Sequence, residues 1–352
     1  MQPWDPEQDD TLLCVAVRAE THDVKSFVFA ADPPRRFAFA AGQFLTFTFD
    51  TPLGKVARCY TIASPPSRPD RVVITVKRQP GGAVSGWLHE TLKPGMKIEV
   101  AGPMGEFTAA RHPAPKLLLL SGGSGITPML SITREIADLG AATDVVFVHA
   151  ARSPADIIAR AELAGLSGPG LRTAMVCETD SVHEAWSGYR GRLSLPMLRL
   201  IAPDLLEREV FCCGPAPFMA AVRGMLTEGG HDPARYHEES FDFATLAGQE
   251  PALAAQVLQA EASAAASFSV TFQKTGRTIQ CSSDTFVLDA ARQAGIRLPS
   301  SCTKGLCGTC KTKMLSGRVE MNHQGGIRQR EIDAGMVLLC CAKPLADLVV
   351  DR

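Results

Sequence analysis

The densest chemistry in the chain lies toward its C-terminal end. Cys302-Thr-Lys-Gly-Leu-Cys307-Gly-Thr-Cys310 is followed at a distance by Cys340-Cys341. The spacing is C-x4-C-x2-C…C, and four thiolates so placed suit two irons bridged by sulfide, a [2Fe–2S] cluster. A loop wrapped that closely needs residues able to take unusual dihedrals, which Gly305 and Gly308 supply. Its backbone N–H groups are then expected to point at the sulfurs. Structural zinc motifs favour paired CxxC-like or CxxH units over a four-residue gap. A Rieske centre needs two histidine ligands, and no Cys-x-His pair occurs. The expected ligands are Cys302, Cys307, Cys310 and Cys340, with Cys341 the alternative for the fourth.

Other segments suit phosphates and rings. Arg58-Cys-Tyr60-Thr61-Ile62-Ala63-Ser64 sets a guanidinium, whose planar fork matches phosphate bidentately, two residues before a tyrosine. Gly81-Gly82-Ala83-Val84-Ser85 precedes an expected helix at Gly86–Glu90, and the N–H groups at a helix start cradle phosphate. Ser121-Gly122-Gly123-Ser124-Gly125-Ile126-Thr127-Pro128 follows an apolar strand and opens a helix, the context a nucleotide pyrophosphate requires, with Pro128 expected at the first helical position. Cys213-Gly214-Pro215 ends a later strand; the plain reading of Cys212 and Cys213 is buried core. Arg152 follows the second parallel strand, where a ribose is usually read. No acidic residue clearly bids for the ribose diol there, and Arg152 either takes a 2′-phosphate or is solvated. The eight histidines show no ligand spacing and read as structural.

The elements that must position these residues fall into blocks. At 352 residues the chain has room for two or three domains. Its 45% apolar and 21% charged residues describe a globular chain, and a net charge of −1 argues against nucleic acid as the main partner. No run reaches a membrane span, and the acidic start Met1–Asp10 lacks the basic and apolar regions of a secretory signal, so a cytoplasmic protein is expected. Eleven cysteines, an odd number in a chain this long, argue against a disulfide framework. Residues 1–112 show short β-rich runs between turn clusters, which predicts an antiparallel barrel. Residues 113–243 alternate strand and helix, which predicts a parallel sheet with helices on both faces. Residues 244–267 hold ten alanines and no Lys or Arg and read as a linker, with Pro251 able to open a short helix. Residues 268–352 open with a hairpin turning at Thr275-Gly276, then a helix at Phe286–Ala294.

These motifs carry a resemblance. The stretch from Phe268 to Arg352, with Gly317-Arg-Val-Glu-Met321 and Val337-Leu-Leu-Cys340, looks like a plant-type ferredoxin, which implies an α+β (β-grasp) domain. It carries 12 Lys+Arg against 7 Asp+Glu, a formal +5 before the cluster is counted, which leaves −6 elsewhere, whereas free-standing plant ferredoxins are typically acidic. Arg58-x-Tyr60-Thr61 resembles the R-x-Y-[ST] signature of the ferredoxin-NADP reductase superfamily. That resemblance implies FAD held by Arg58, Tyr60, Thr61, Ile62, Lys77, Gly82, Val84 and Ser85. It implies NADH, with NADPH left open, held by Gly122, Gly123, Gly125, Thr127, Arg152, Cys213, Gly214 and Pro215. Thr61, Cys213 and Glu239 are implied at the reacting centre, and Phe241 either covers the flavin or packs a domain seam. The order of the three modules is similar to the reductase components of bacterial Rieske oxygenases, which implies a terminal Rieske non-haem iron oxygenase as electron acceptor, of the glycine betaine demethylating type. Reductases serving ketosteroid hydroxylase, phenylacetyl-CoA epoxidase and hybrid-cluster protein share the layout. A redox-sensing binding module is the other reading, and the complete flavin motifs speak against it.

Overall fold

The computed structural model describes the chain except residues 52–53, 167, 169, 242–265, 297, 299–304 and 307. The expected linker at 244–267 therefore lies almost wholly outside the described residues. The chain divides into two compact units: Met1–Trp4, Thr11–Val56 and Tyr60–Asp242 form one, and Asp5–Asp10, Ala57–Cys59 and Phe243–Arg352 the other.

The N-terminal sheet is built from β2 (Thr11–Thr21), β3 (Val24–Ala31), β5 (Phe44–Thr51), β6 (Gly54–Thr61), β7 (Val72–Lys77) and β8 (Lys97–Met104), in the order β6-β5-β8-β2-β3-β7. A two-stranded ribbon, β1 (Gln2–Pro3) with β4 (Arg35–Arg36), stands beside it. Phe27, Phe29, Leu45, Phe47, Phe49, Val72 and Ile74 from strands across the sheet share one core, so the sheet curls on itself. The sequence reading has no strand at β8. Its alternating Lys97-Ile98-Glu99-Val100 is broken by Gly102-Pro103, which looks like a turn yet continues the strand. α1 (Ala83–Glu90) starts three residues earlier than expected, directly after Gly82.

The second sheet is parallel, in the order β12-β11-β10-β9-β13-β14. Its strands are β9 (Lys116–Gly122), β10 (Asp144–Ala151), β11 (Leu171–Cys177), β12 (Tyr189–Arg190), β13 (Glu209–Cys213) and β14 (Tyr236–Glu239). Its central strands β9, β10 and β13 carry runs of buried apolar residues because both faces are covered there. Leu117, Leu119, Phe147 and Phe211 pack with α2 (Ile126–Leu139). Leu118, Leu120, Val146 and Val210 pack on the opposite face with α4 (Leu195–Ile201) and α5 (Ala216–Glu228). The helix expected at Pro154–Ala164 divides into a 3-10 turn, Pro154–Asp156, and α3 (Arg160–Gly165). Pro128 is the third residue of α2, not the first, and is tolerated because the first helical turn leaves its N–H groups unpaired.

A fully buried arginine ties the strand starts of this sheet. Arg208 donates to the Asp204 carboxylate at 2.7 and 2.9 Å, to the Leu117 carbonyl at 3.0 Å, and to the carbonyl and carboxylate of Asp144, each at 3.1 Å. Its guanidinium holds Asp204 down to about 2. A buried charge is tolerated only with such full pairing.

In the C-terminal unit β15 (Ser267–Phe272) and β16 (Arg277–Ser282) form the expected hairpin, with Gly276 at φ +63° in its turn. The sheet order is β16-β15-β21-β17-β19, with β17 (Lys311–Ser316), β19 (Met336–Leu338) and β21 (Leu348–Val350). β15 pairs with β21 in parallel. β18 (Val319–Met321) pairs with β20 (Ala342–Pro344) outside it. α6 (Val287–Gln293) lays Val287, Leu288 and Ala291 on the core with Val270, Phe272 and Leu348. A short helix, α7 (Gln329–Asp333), precedes β19.

Candidate functional site

The C-terminal ends of the parallel strands form the first station. Strand register aligns Ser121 with His149 on one side and Cys213 on the other, and Cys213 in turn with Glu239. The strand order reverses direction between β9 and β13, and ligands of open α/β sheets bind outside the carboxyl ends at such a reversal. Two turns meet there at backbone contact. A Cβ added at Gly125 would lie 2.2 Å from the Cys213 carbonyl oxygen, and one at Gly214 would lie 2.8 Å from the Phe218 ring and 3.1 Å from the Gly122 nitrogen. Gly123 takes φ +53°, and the Thr127 hydroxyl donates to the Ser124 carbonyl at 3.2 Å. Pro215 is the N-cap of α5. Cys213 is wholly buried, which pushes its thiol well up. Burial raises Glu239 to about 8, and its Oε2 has no partner among the described residues. Phe241 packs on the core that holds Cys213 and Ile126.

Two residues that the sequence did not single out join this end. His149 accepts from or donates to Ser121 Oγ through Nδ1 at 2.8 Å, while its buried Nε2 has no partner among the described residues. Asp156 receives Arg152 Nη2 at 2.6 Å and the Ser153 hydroxyl at 2.7 Å. Arg152 thus already has a carboxylate partner, with Asp23 a further 3.8 Å contact. A helical reading of Pro154–Ala164 concealed the turn that carries Asp156 back to Arg152.

On the curled antiparallel sheet, Tyr60 stands edge-on to Phe47 and Phe49 at 6.0 and 6.2 Å between ring centroids. Thr61 follows, buried, its hydroxyl unpartnered among the described residues. Ile62 is buried and donates its N–H to the Gln43 carbonyl. Arg58 is exposed, with one guanidinium nitrogen on the neighbouring Ala57 carbonyl at 2.8 Å. Gly82 caps α1; the Ser85 hydroxyl accepts from the Gln79 N–H at 3.0 Å and donates to the Gly82 carbonyl at 3.3 Å, while Val84 sits in the core. Lys77, expected at the flavin, is ion-paired with Asp23 at 3.0 Å. Arg134 on α2 donates to the Ala63 carbonyl at 2.7 Å and grips Glu162 through two bonds of 2.6 Å. The Ser131 hydroxyl donates to the Ser64 carbonyl at 2.9 Å. The helix opened by the glycine-rich turn therefore also holds the backbone just beyond Thr61. An orphaned buried hydroxyl at Thr61, an exposed guanidinium at Arg58 and a glycine-capped helix start at Gly82 are groups that suit a flavin and its phosphates.

In the C-terminal unit Cys310 and Cys340 are buried, and Cys302 and Cys307 lie outside the described residues. Gly305 donates its N–H to Cys340 Sγ at 3.3 Å, while the Cys341 thiol donates to the Leu338 carbonyl at 3.7 Å. Gly305 and Gly308 both take φ +72°; a Cβ on Gly305 would come within 2.8 Å of Cys341 Sγ, and one on Gly308 within 2.7 Å of the Gly326 carbonyl oxygen. A loop needing two left-handed glycines, with an N–H aimed at a cysteine sulfur, fits an iron–sulfur cluster.

Comparison with known proteins follows the same division. Residues 13–109 match the oxidoreductase FAD-binding domain, residues 119–224 the oxidoreductase NAD-binding domain, and residues 270–345 the 2Fe-2S iron-sulfur cluster binding domain. The chain is 46% identical over 343 residues to the glycine betaine monooxygenase reductase subunit of Pseudomonas aeruginosa (strain UCBPP-PA14), covering 96% of this chain and 94% of that one. It is 41% identical over 344 residues to the stachydrine N-demethylase reductase subunit of Rhizobium meliloti, covering 97% and 96%. Among solved structures, phthalate dioxygenase reductase shares the fold over 99% of this chain and 100% of that one, at a TM-score of 0.58 and 24% identity. No helix among the described residues is long and apolar enough to cross a membrane. The chain belongs to the family of oxygenase reductase subunits that join FAD-binding, NAD-binding and [2Fe–2S] domains on one polypeptide and pass electrons from NAD(P)H through FAD and the cluster to an oxygenase.

Proposed function

We propose that the oxygenase served by this chain is a Rieske-type non-haem iron enzyme that demethylates glycine betaine or a related quaternary amine. The observation that carries this reading is the 46% identity, sustained along nearly the whole chain, with a reductase subunit of glycine betaine monooxygenase. The test is reconstitution: NADH, this chain and a purified glycine betaine oxygenase component should together release formaldehyde from betaine, and omission of any one should stop it. No release, with NADH oxidation by this chain intact, would assign it to another oxygenase.

When bound, FAD takes a hydride equivalent from NADH and the cluster passes electrons on singly. The chain's own residues bind and orient. Arg58 and the N–H groups at Gly82–Ser85 take the flavin phosphates, and Tyr60 and Ile62 line the ring site. Lys77, paired with Asp23 at 3.0 Å, is a further candidate for that site. The unpartnered Thr61 hydroxyl offers a hydrogen bond toward the ring. Gly122, Gly123, Gly125 and Thr127 receive the pyrophosphate, and Cys213, Gly214, Pro215 and the uncharged carboxyl of Glu239 bound the nicotinamide, with Phe241 beside them. The Asp156 carboxylate beside Arg152 disfavours a 2′-phosphate, which supports NADH over NADPH. Cys302, Cys307, Cys310 and Cys340 hold the cluster; the N–H bond that Cys340 receives supports it over Cys341. The reading takes residues 1–112 as the flavin domain, 113–243 as the nicotinamide domain, 244–267 as a linker and 268–352 as the ferredoxin domain, in a cytoplasmic protein.

A further inference from the structure

Three segments with no ligand spacing in the sequence come together at the start of β13 and β14. His112 follows the turn Ala109–Arg111 in the connector between the two matched nucleotide-binding domains, Glu209 is the first residue of β13, and His237 is the second of β14. One ligand atom from each lies within 4.8 Å of the others. The two imidazoles stack with centroids 3.6 Å apart and planes 25° from parallel. His237 Nε2 meets Glu209 Oε1 at 2.6 Å, and both side chains are largely shielded, at 15% and 13% exposure. No hydrogen bond reaches the His112 ring among the described residues. Beneath the pair lies an apolar floor: Phe211 is 5.0 Å from the His237 ring and 6.1 Å from the His112 ring, and Phe107 backs Phe211 at 5.5 Å.

From this geometry we infer that His112, Glu209 and His237 form a site for one divalent late transition cation of the zinc type, with water at the remaining position. Two imidazoles and a carboxylate are a donor set that such ions take, and an apolar shell around the ligands restricts water. Ligand atoms around a tetrahedral zinc stand about 3.3 Å apart, so the bond between His237 and Glu209 opens by less than an ångström when the cation replaces its proton. The opposing charges are Arg235, whose Nε lies 3.3 Å from Glu209 Oε2, and Arg111, which is paired with Glu106. Arg235 is also held by the Leu206 and Glu207 carbonyls, so it remains as the second partner of Glu209 while Oε1 turns to the cation. A bound cation would fasten the connector to two neighbouring strands of the parallel sheet.

The experiment uses the full chain with flavin and cluster loaded, stripped with a chelator and desalted, then titrated with zinc chloride by calorimetry and melted with about 100 µM zinc present. Wild type is expected to take up one zinc and melt higher. H112Q and H237Q are expected to lose about tenfold or more in zinc affinity and the rise in melting temperature. Their flavin and cluster absorbance reports that each variant is folded, and H112Q, which lies outside any strand, carries the test if H237Q is not. Anomalous diffraction from a zinc-soaked crystal should place the ion among the three side chains. Equal zinc affinity in wild type and H112Q, or an anomalous peak only at another cluster such as His22, Asp23 and Asp156, overturns the site.

Discussion

Buried titratable side chains stand at the ends of the parallel strands, and His149 shows how burial sets their state. Burial pushes its imidazole down to about 4 from 6.5. Between those values the unfolded chain binds a proton that the folded chain refuses, so the contribution of His149 to stability is complete above pH 6.5 and falls as the pH drops toward 4. That loss reaches up to about 3 kcal/mol, and since Glu239 titrates with the opposite sign in the same range, it is read as a difference: wild type should lose melting temperature relative to H149N between pH 7 and pH 5. Thermal scans across that range decide it. Thr61 is tested by chemistry instead. T61V keeps the shape and removes the hydroxyl, so flavin content should hold while the rate of flavin reduction by NADH, read by stopped flow, falls about 10–100-fold. Motifs built on glycine, arginine and cysteine at short spacing are legible in a sequence because the backbone geometry they serve is local. Asp156 was not, because its role depends on a 3-10 turn folding it back onto Arg152. Nor were His112, Glu209 and His237, which meet only across a connector and two strands.

At the scale of elements, the nucleotide station depends on two turns pressed together. A methyl at Gly125 would meet the Cys213 carbonyl, so G125A must push the turn after β9 away from the turn after β13. Overpacking of this kind costs about 1–3 kcal/mol, and the expected result is a lower melting temperature with a raised KM for NADH while flavin and cluster spectra persist. An unchanged KM would show that the contact is packing alone. α2 serves both stations, since its start opens beside the glycine-rich turn while Ser131 and Arg134 further along hold the Ser64 and Ala63 carbonyls. The alternation of strand and helix was readable from continuous apolar runs such as Lys116–Leu120. β8 was hidden by the Gly102-Pro103 pair, and the helix starts shifted by two or three residues because glycine serves at a cap as readily as in a loop.

At the scale of the whole molecule, electrons reach the oxygenase through the cluster. C310S should leave NADH oxidation with ferricyanide in place and abolish NADH-dependent reduction of the oxygenase; an oxygenase still reduced at the wild-type rate would show that the exit bypasses the cluster. The +5 of residues 268–352 favours an acidic docking face, and the rate of that last transfer should fall as salt rises. The parallel sheet, meanwhile, is unequal from base to rim. Arg208 stitches the strand origins into one rigid knot, while the rim keeps a buried thiol at Cys213 and, among the described residues, unpartnered polar atoms on His149 and Glu239. Damage at the knot will therefore show as collapse of the nucleotide domain with its coenzyme selectivity intact until it melts, and damage at the rim as altered turnover in a protein that stays whole.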